Sequence, residues 1–215
     1  MILPDGRGQA PHNPEFDVSG YLQDRAEADP FLMVEVGHGS YPVAYQQPQL
    51  TGDRRYIGAE TWMVRRRDGL QGILAHAVTP RSVRNGTNIT FVSDPINPLA
   101  ELEAGIADEV VISNVFGDPL FARLGLGTAQ LLSEAARLIN YNGVIVVRET
   151  ITPNKSRVAE TTVAQAGLKI LEKVYDIVAR QRTWKALEEV YDGKAKKVQP
   201  ELGSVYHFLG KSAAA

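Results

Sequence analysis

Apolar positions along this chain fall into short runs broken by Gly, Pro and Asp, and stretches with helical spacing lie between them. Residues 31–36, FLMVEV, are nearly all apolar, the signature of a strand buried on both faces. Strand-like runs follow at 55–59, ending in Glu60, at 88–93 (NITFVS), 109–116 (EVVISNVF), 144–150 (VIVVRET), 168–176 (LKILEKVYD) and 204–211 (SVYHFLGK). Helices are expected at 17–29, where Tyr21, Leu22 and Ala26 are spaced to share a face, at 42–47 before Pro48, and at 61–77 around Trp62 and Leu70. A helix or helical turn is expected at 98–105. The clearest helix runs from 127 to 140, with Leu131, Leu132, Ala135 and Leu138 on one face and Asn142-Gly143 as its stop. Helices at 154–166, closed by Gly167, and from 177 towards 191 complete the pattern.

Five strands alternating with helices indicate an α/β fold with a parallel sheet joined by right-handed crossovers. The last two strands lack a full-length crossover, which indicates an antiparallel addition at one edge. Residues 1–30 read as an N-terminal irregular and helical cap, either covering the core or closing over a ligand, and 31–210 as a single domain. At 215 residues, with 44% hydrophobic and 22% charged residues, the chain has the composition of a soluble globular protein. A net charge of −2 gives no global attraction for nucleic acid or an anionic membrane. The absence of cysteine excludes disulfides and thiolate metal sites and suits a cytoplasmic location. No run reaches the roughly 18 apolar residues of a membrane span. No His, Asp and Glu spacing suggests a metal site. Arg65, Arg66 and Arg67 read as a solvated helix face ahead of a phosphate-binding patch, and His76 and His207 as surface or satisfied core residues.

In an open parallel sheet, ligands bind beyond the carboxyl ends of the strands, where the strand order reverses. Those ends carry a consistent polar set. The first strand ends in Gly37-His38-Gly39, the second in Glu60, the third in Asp94-Pro95, the fourth in Asn114, Val115 and Phe116, and the fifth in Glu149. Glycine lets the backbone approach a ligand where a Cβ would clash. Glu60, about 25 residues beyond Glu35, stands where an acid accepts bonds from two ribose hydroxyls. Asp94 suits a purine amino group, with Trp62 or Val115 beside the ring. Glu35 or Asn114 suits a cationic sulfonium.

In these segments the chain resembles the class I S-adenosylmethionine-dependent methyltransferases. VEVGHGSYP is similar to the first motif of that family, YIGAE to its ribose-binding strand, FVSDP to its adenine segment and DEVVISNVF to its fourth strand. LLSEAARLINYNGVIVVRET and AGLKILEKVYD with SVYHFLGK are similar to its later elements. The resemblance implies a Rossmann-like three-layer sandwich with a mostly parallel seven-stranded sheet whose last strand is antiparallel. It also implies S-adenosylmethionine as cofactor, S-adenosylhomocysteine as product and no metal. Carried over residue by residue, it places Glu35, Gly37, His38, Gly39, Glu60, Thr61, Trp62, Asp94, Pro95, Asn114, Val115 and Phe116 around the cofactor. Tyr41-Pro42 replaces a glycine usual in the family, which implies a modified turn. On the acceptor side the candidates are His38, Tyr21, Asp118 and Glu149. NVFGDP departs from the N/D-P-P-Y/F of amino-group DNA and protein methylases. The expected acceptor is therefore an oxygen or nitrogen of a small molecule, with natural-product biosynthesis as the expected setting and a monomer or homodimer as the working form. The alternatives are a tRNA guanine-N7-like RNA methyltransferase and a non-catalytic S-adenosylmethionine-binding protein.

Overall fold

The structure, a computed structural model, describes residues 16–37, 53–60, 89–93, 99–116, 127–151, 156–176 and 203–212. The helices expected at 42–47, 61–77 and 177–191, with Arg65 to Arg67 and His76, lie outside the described residues. The described elements are α1 (Val18–Glu27), β1 (Phe31–Val36), β2 (Arg54–Glu60), β3 (Ile89–Ser93), β4 (Ala107–Ser113), α2 (Thr128–Leu138), β5 (Ile139–Ile151), α3 (Glu160–Gln165), β6 (Leu168–Asp176) and β7 (Gly203–Lys211).

The strands form one sheet in the order β3-β2-β1-β4-β5-β7-β6. β3, β2, β1, β4 and β5 are parallel neighbours in that order. β7 is antiparallel to both β5 and β6, so the antiparallel strand expected at the edge is inserted one place in from it. Strand order reverses between β1 and β4.

Side-chain alternation splits the core into two faces. Val34, Val36, Val110, Ile112, Ile145, Val147 and Leu209 pack with Leu131, Leu132, Ala135 and Leu138 of α2 and Val163 of α3. Each of those leucines contributes about 1.5–3 kcal/mol by leaving water. On the opposite face, Val144, Val146, Tyr206 and Phe208 meet Val18, Tyr21 and Leu22 of α1, and Phe31, Met33, Tyr56 and Val111 form a neighbouring cluster. The aromatic rings of Phe16, Tyr21 and Phe208 lie 5.6–6.0 Å apart.

Two expectations change, and a third is met in its shorter form. Asn142-Gly143 does not stop the long helix: α2 ends at Leu138 and β5 begins at once with Ile139. Gly143 is needed there for close approach, since a Cβ would stand 2.9 Å from Ile139 Cβ and 3.0 Å from the Ala107 carbonyl oxygen. The region expected as a helix or helical turn at 98–105 makes a single turn, with Leu102 N–H donating to the Leu99 carbonyl at 3.1 Å. Arg137 of α2 takes the carbonyls of Leu99 and Leu102, at 2.8 and 2.6 Å. The helix expected at 154–166 starts only at Glu160, because Arg157 N–H donates to Glu149 (3.0 Å) and Val158 N–H to the Ser156 hydroxyl (3.2 Å).

The amino ends of the strands are tied by structural polar contacts. Asp17 caps α1 by accepting from Ser19 N–H at 2.9 Å. At the other end, the Arg54 guanidinium donates to the carbonyls of Arg25 (3.0 Å), Ala26 (3.3 Å) and Ala28, and lies 4.9 Å from the Phe31 ring centroid. A cation on the last carbonyls of a helix satisfies groups that have no partner within it. Arg54→Met, which keeps the apolar stem, is expected to cost about 2–3 kcal/mol in denaturant unfolding. Hydrogen exchange in α1 should rise before that in β1, and a loss under 0.5 kcal/mol would mean the cap contributes nothing.

Candidate functional site

The strand-order reversal sets the site. β1 and β4 part at their carboxyl ends, and each leaves the sheet through a left-handed residue, Gly37 with φ 71° and Asn114 with φ 57°. Gly37 N–H donates to the Ala59 carbonyl (2.9 Å), next to Glu60 at the end of β2. Asn114 N–H donates to the Arg148 carbonyl of β5 (2.8 Å). A Cβ on Gly37 would overlap Cγ2 of Val115, so the turn after β1 rests directly on the turn after β4. Asparagine tolerates this backbone better than most residues do, and here it carries its side chain exposed.

Three acids of the central strands are buried. Glu35, two residues before Gly37, accepts from the Tyr56 hydroxyl at 2.6 Å. Glu109 lies 2.6 Å from Arg25 Nε and accepts from the Tyr21 hydroxyl. Burial pushes the Glu109 carboxyl up, and Arg25 and Tyr21 offset this only in part. Burial, with the adjacent Glu109 carboxylate, pushes the Tyr21 phenol far above its ordinary range. Glu149, at the carboxyl end of β5, accepts from the Ser156 hydroxyl (2.7 Å) and Arg157 N–H (3.0 Å), with His207 Nε2 at 3.3 Å. Burial pushes the Glu149 carboxyl up, but the bonds from His207, Ser156 and Arg157 outweigh it and hold the group below the usual carboxylate range.

The structure brings together Gly37, the backbone end of Glu60, Asn114 and Val115. Ser93 at the end of β3 pairs with Glu60. β4 ends at Ser113, short of the expected 116, and Val115 and Phe116 follow it as core residues of the α2 face. Tyr21 is not among the groups at the carboxyl edge. Its hydroxyl is committed to Glu109 near the start of β4, on the α1 face, and stays protonated. Glu149 is at that edge on the α2 face, two residues from Val147, its side chain occupied by its three donors. His38, Gly39, Thr61, Trp62, Asp94, Pro95 and Asp118 lie outside the described residues. Sequence reasoning missed Ser156 and Arg157, and it assigned His207 no partner. Among the described residues no group of His, Asp and Glu is arranged to hold a metal ion, and no helix is long and apolar enough to cross a membrane.

No family model and no curated protein matches the sequence. The fold does match solved structures. An antibiotic-related methyltransferase superposes with a TM-score of 0.52 at 16% identity, over 92% of this chain and 96% of its own. A SAM-dependent methyltransferase from Aquifex aeolicus gives 0.54 at 11%, over 91% and 93%. The [4+2]-cyclase SpnF gives 0.52 at 12%, over 92% and 80%. What this chain shares with these structures is the fold, and two of the three are methyltransferases by name.

Gly37→Ala is expected to cost about 2–4 kcal/mol, from a left-handed alanine and the overlap with Val115. Adding Val115→Ala should return the steric part. A double-mutant cycle with no coupling would show that the two turns do not touch. Because the folded-state pKa of Glu149 lies below its unfolded value, its stabilisation is present above about pH 5 and is lost as pH falls through the acid range. The stability difference between the parent and Glu149→Gln should therefore shrink on acidification; urea melts giving a pH-independent difference would contradict the assignment.

Proposed function

We propose that this chain is an S-adenosylmethionine-dependent methyltransferase acting on an oxygen or nitrogen of a small molecule. The observation that carries the reading is the contact of Gly37 with Val115 at the strand-order reversal, beside Asn114 and the end of β2. That contact lies at the switch point of the sheet, the place where open α/β sheets bind nucleoside ligands. By its place at the end of β2, Glu60 suits ribose hydroxyls, and Glu35, two residues before Gly37, is buried against the Tyr56 hydroxyl. His38, Gly39, Thr61, Trp62, Asp94 and Pro95 complete the set by sequence, Asp94 towards the adenine amino group.

The bound cofactor supplies a methyl group on a sulfonium, already a good leaving group. The protein's work is then alignment of the acceptor and exclusion of water. In this reading Glu149 is not a free base, since its oxygens are held by three donors; His38 and Asp118 remain the acceptor-side candidates. The antibiotic-related methyltransferase of the same fold and near-equal length supports a place in natural-product biosynthesis. A second reading comes from the [4+2]-cyclase, which has this fold and a different named reaction: a protein that binds the cofactor without transferring its methyl group.

S-adenosylhomocysteine at a hundredfold excess over its Kd is expected to stabilise the chain by about 2.7 kcal/mol, raising Tm by about 5–10 °C. Asp94→Ala should reduce that shift while leaving the ligand-free Tm close to the parent's. No shift at millimolar ligand would refute the reading. Methyl transfer from labelled cofactor to a panel of hydroxyl and amine acceptors separates the enzyme from the second reading.

A further inference from the structure

At the carboxyl end of β5 a buried polar cluster joins parts of the chain that are remote in sequence. Glu149 and His207 are 3% and 1% exposed. His207 stands on β7 opposite Val147, one diagonal step from Glu149. Its Nε2 lies 3.0 Å from the Ser156 hydroxyl and 3.3 Å from Glu149, while its buried Nδ1 has no partner. With a proton on Nε2 the ring is a donor within reach of both Glu149 and Ser156. Glu149 thereby fixes Ser156 and the Arg157 backbone. The Arg157 guanidinium in turn donates to the Phe116 carbonyl, at the end of the turn that starts with left-handed Asn114 and carries Val115 under Gly37.

We propose that Glu149 is a positioning residue of the site: through Arg157 it holds the Phe116 turn, and so couples ligand occupancy between β1 and β4 to the order of the Glu149–Ser156–His207 cluster. The inference rests on the reading that a nucleoside ligand occupies that place. A carbonyl beyond the last sheet hydrogen bond of β4 needs a donor, and Arg157 supplies it. Arg157 is in turn held by its own N–H on Glu149. Glu149 holds the 156–157 segment through the Ser156 hydroxyl and the Arg157 N–H, and the last link to Phe116 is a single bond from Arg157, so one substitution at either residue interrupts the chain. Because linkage is reciprocal, a ligand that needs the ordered turn also orders the cluster, down to His207 on β7.

The test uses the full chain with S-adenosylhomocysteine as probe, measuring affinity by calorimetry and amide exchange without ligand. Glu149→Gln and Arg157→Ala should each weaken binding about tenfold, the worth of one charge-assisted hydrogen bond, and Arg157→Lys should recover most of it. In both weakened variants the amides of Val115 and Phe116 should exchange about tenfold faster, while those of Val34 and Val36 keep their parent rates. Arg157 is exposed, so its variants keep the test open even if Glu149→Gln fails to fold. Parent-like affinity in folded Arg157→Ala, with unchanged exchange at Val115 and Phe116, would overturn the proposal. Failure of the parent to bind the probe would overturn the ligand reading and the coupling with it. The exchange data would then still decide whether Glu149 holds the turn.

Discussion

A sheet covered on both faces leaves no water for the side chains of its central strands, and this constraint governs the rest of the molecule. Every polar group placed there needs a partner from the protein or costs several kcal/mol. Glu35, Glu109 and Glu149 meet the requirement in different ways. Glu35 takes a tyrosine hydroxyl from β2. Glu109 takes a cation and a phenol from α1, which turns a desolvation cost into the attachment of that helix. Glu149 takes a serine, a backbone N–H and an imidazole. The opposite pKa directions of Glu109 and Glu149 follow. Desolvation wins where burial is complete, and donors win where a carboxylate collects three of them at the end of a strand.

The two edges of the sheet divide the labour. At the amino edge polar groups close the structure: Arg54 seals the end of α1, and Asp108 takes Leu32 N–H and the Asn140 amide, each at 2.7 Å. At the carboxyl edge the backbone itself bends, at Gly37 and Asn114, and hydrogen bonds run from turn to strand. Strain of a kcal/mol or more in a left-handed non-glycine residue persists only where its surroundings fix it. For Asn114 the fixing contacts are the Arg148 carbonyl, the packing of Val115 and Phe116, and the Arg157 bond one turn on. The strained edge is the edge that a ligand would use.

Much of this was legible in the chain itself. The apolar runs marked β1 through β7 to within a residue or two, apart from the ends of β4 and the start of β5, because a doubly buried strand can contain little else. The helical face Leu131, Leu132, Ala135 and Leu138 and the Gly37 turn were legible for the same kind of reason: one geometry explains the spacing. What was hidden depended on pairing. Asn142-Gly143 reads as a helix stop, yet Gly143 is small because Ile139 and Ala107 crowd it within β5. Glu149 and His207 each interrupt an apolar alternation, a local sign that a buried polar group needs a partner. Only the register that sets Val147 against His207 shows that they serve one another. Arg157 gave no sign, since its function lies in reaching back to a carbonyl 41 residues away.

The same division explains why the fold leaves the chemistry open. Methyltransferases and a cyclase share this fold at identities of 11–16%, so the fold alone does not decide the reaction. In this chain the turns after β1 and β4 are fixed to each other by van der Waals contact, and the turn after β4 is fixed to β7 by the Arg157–Glu149–His207 chain. A substitution on β7, remote in sequence from the first strand, therefore reaches the turn after β4 through these contacts. Of the three buried acids only Glu149 lies at the carboxyl edge, so the shape of the turn after β4 depends on its donors and not on Glu35 or Glu109.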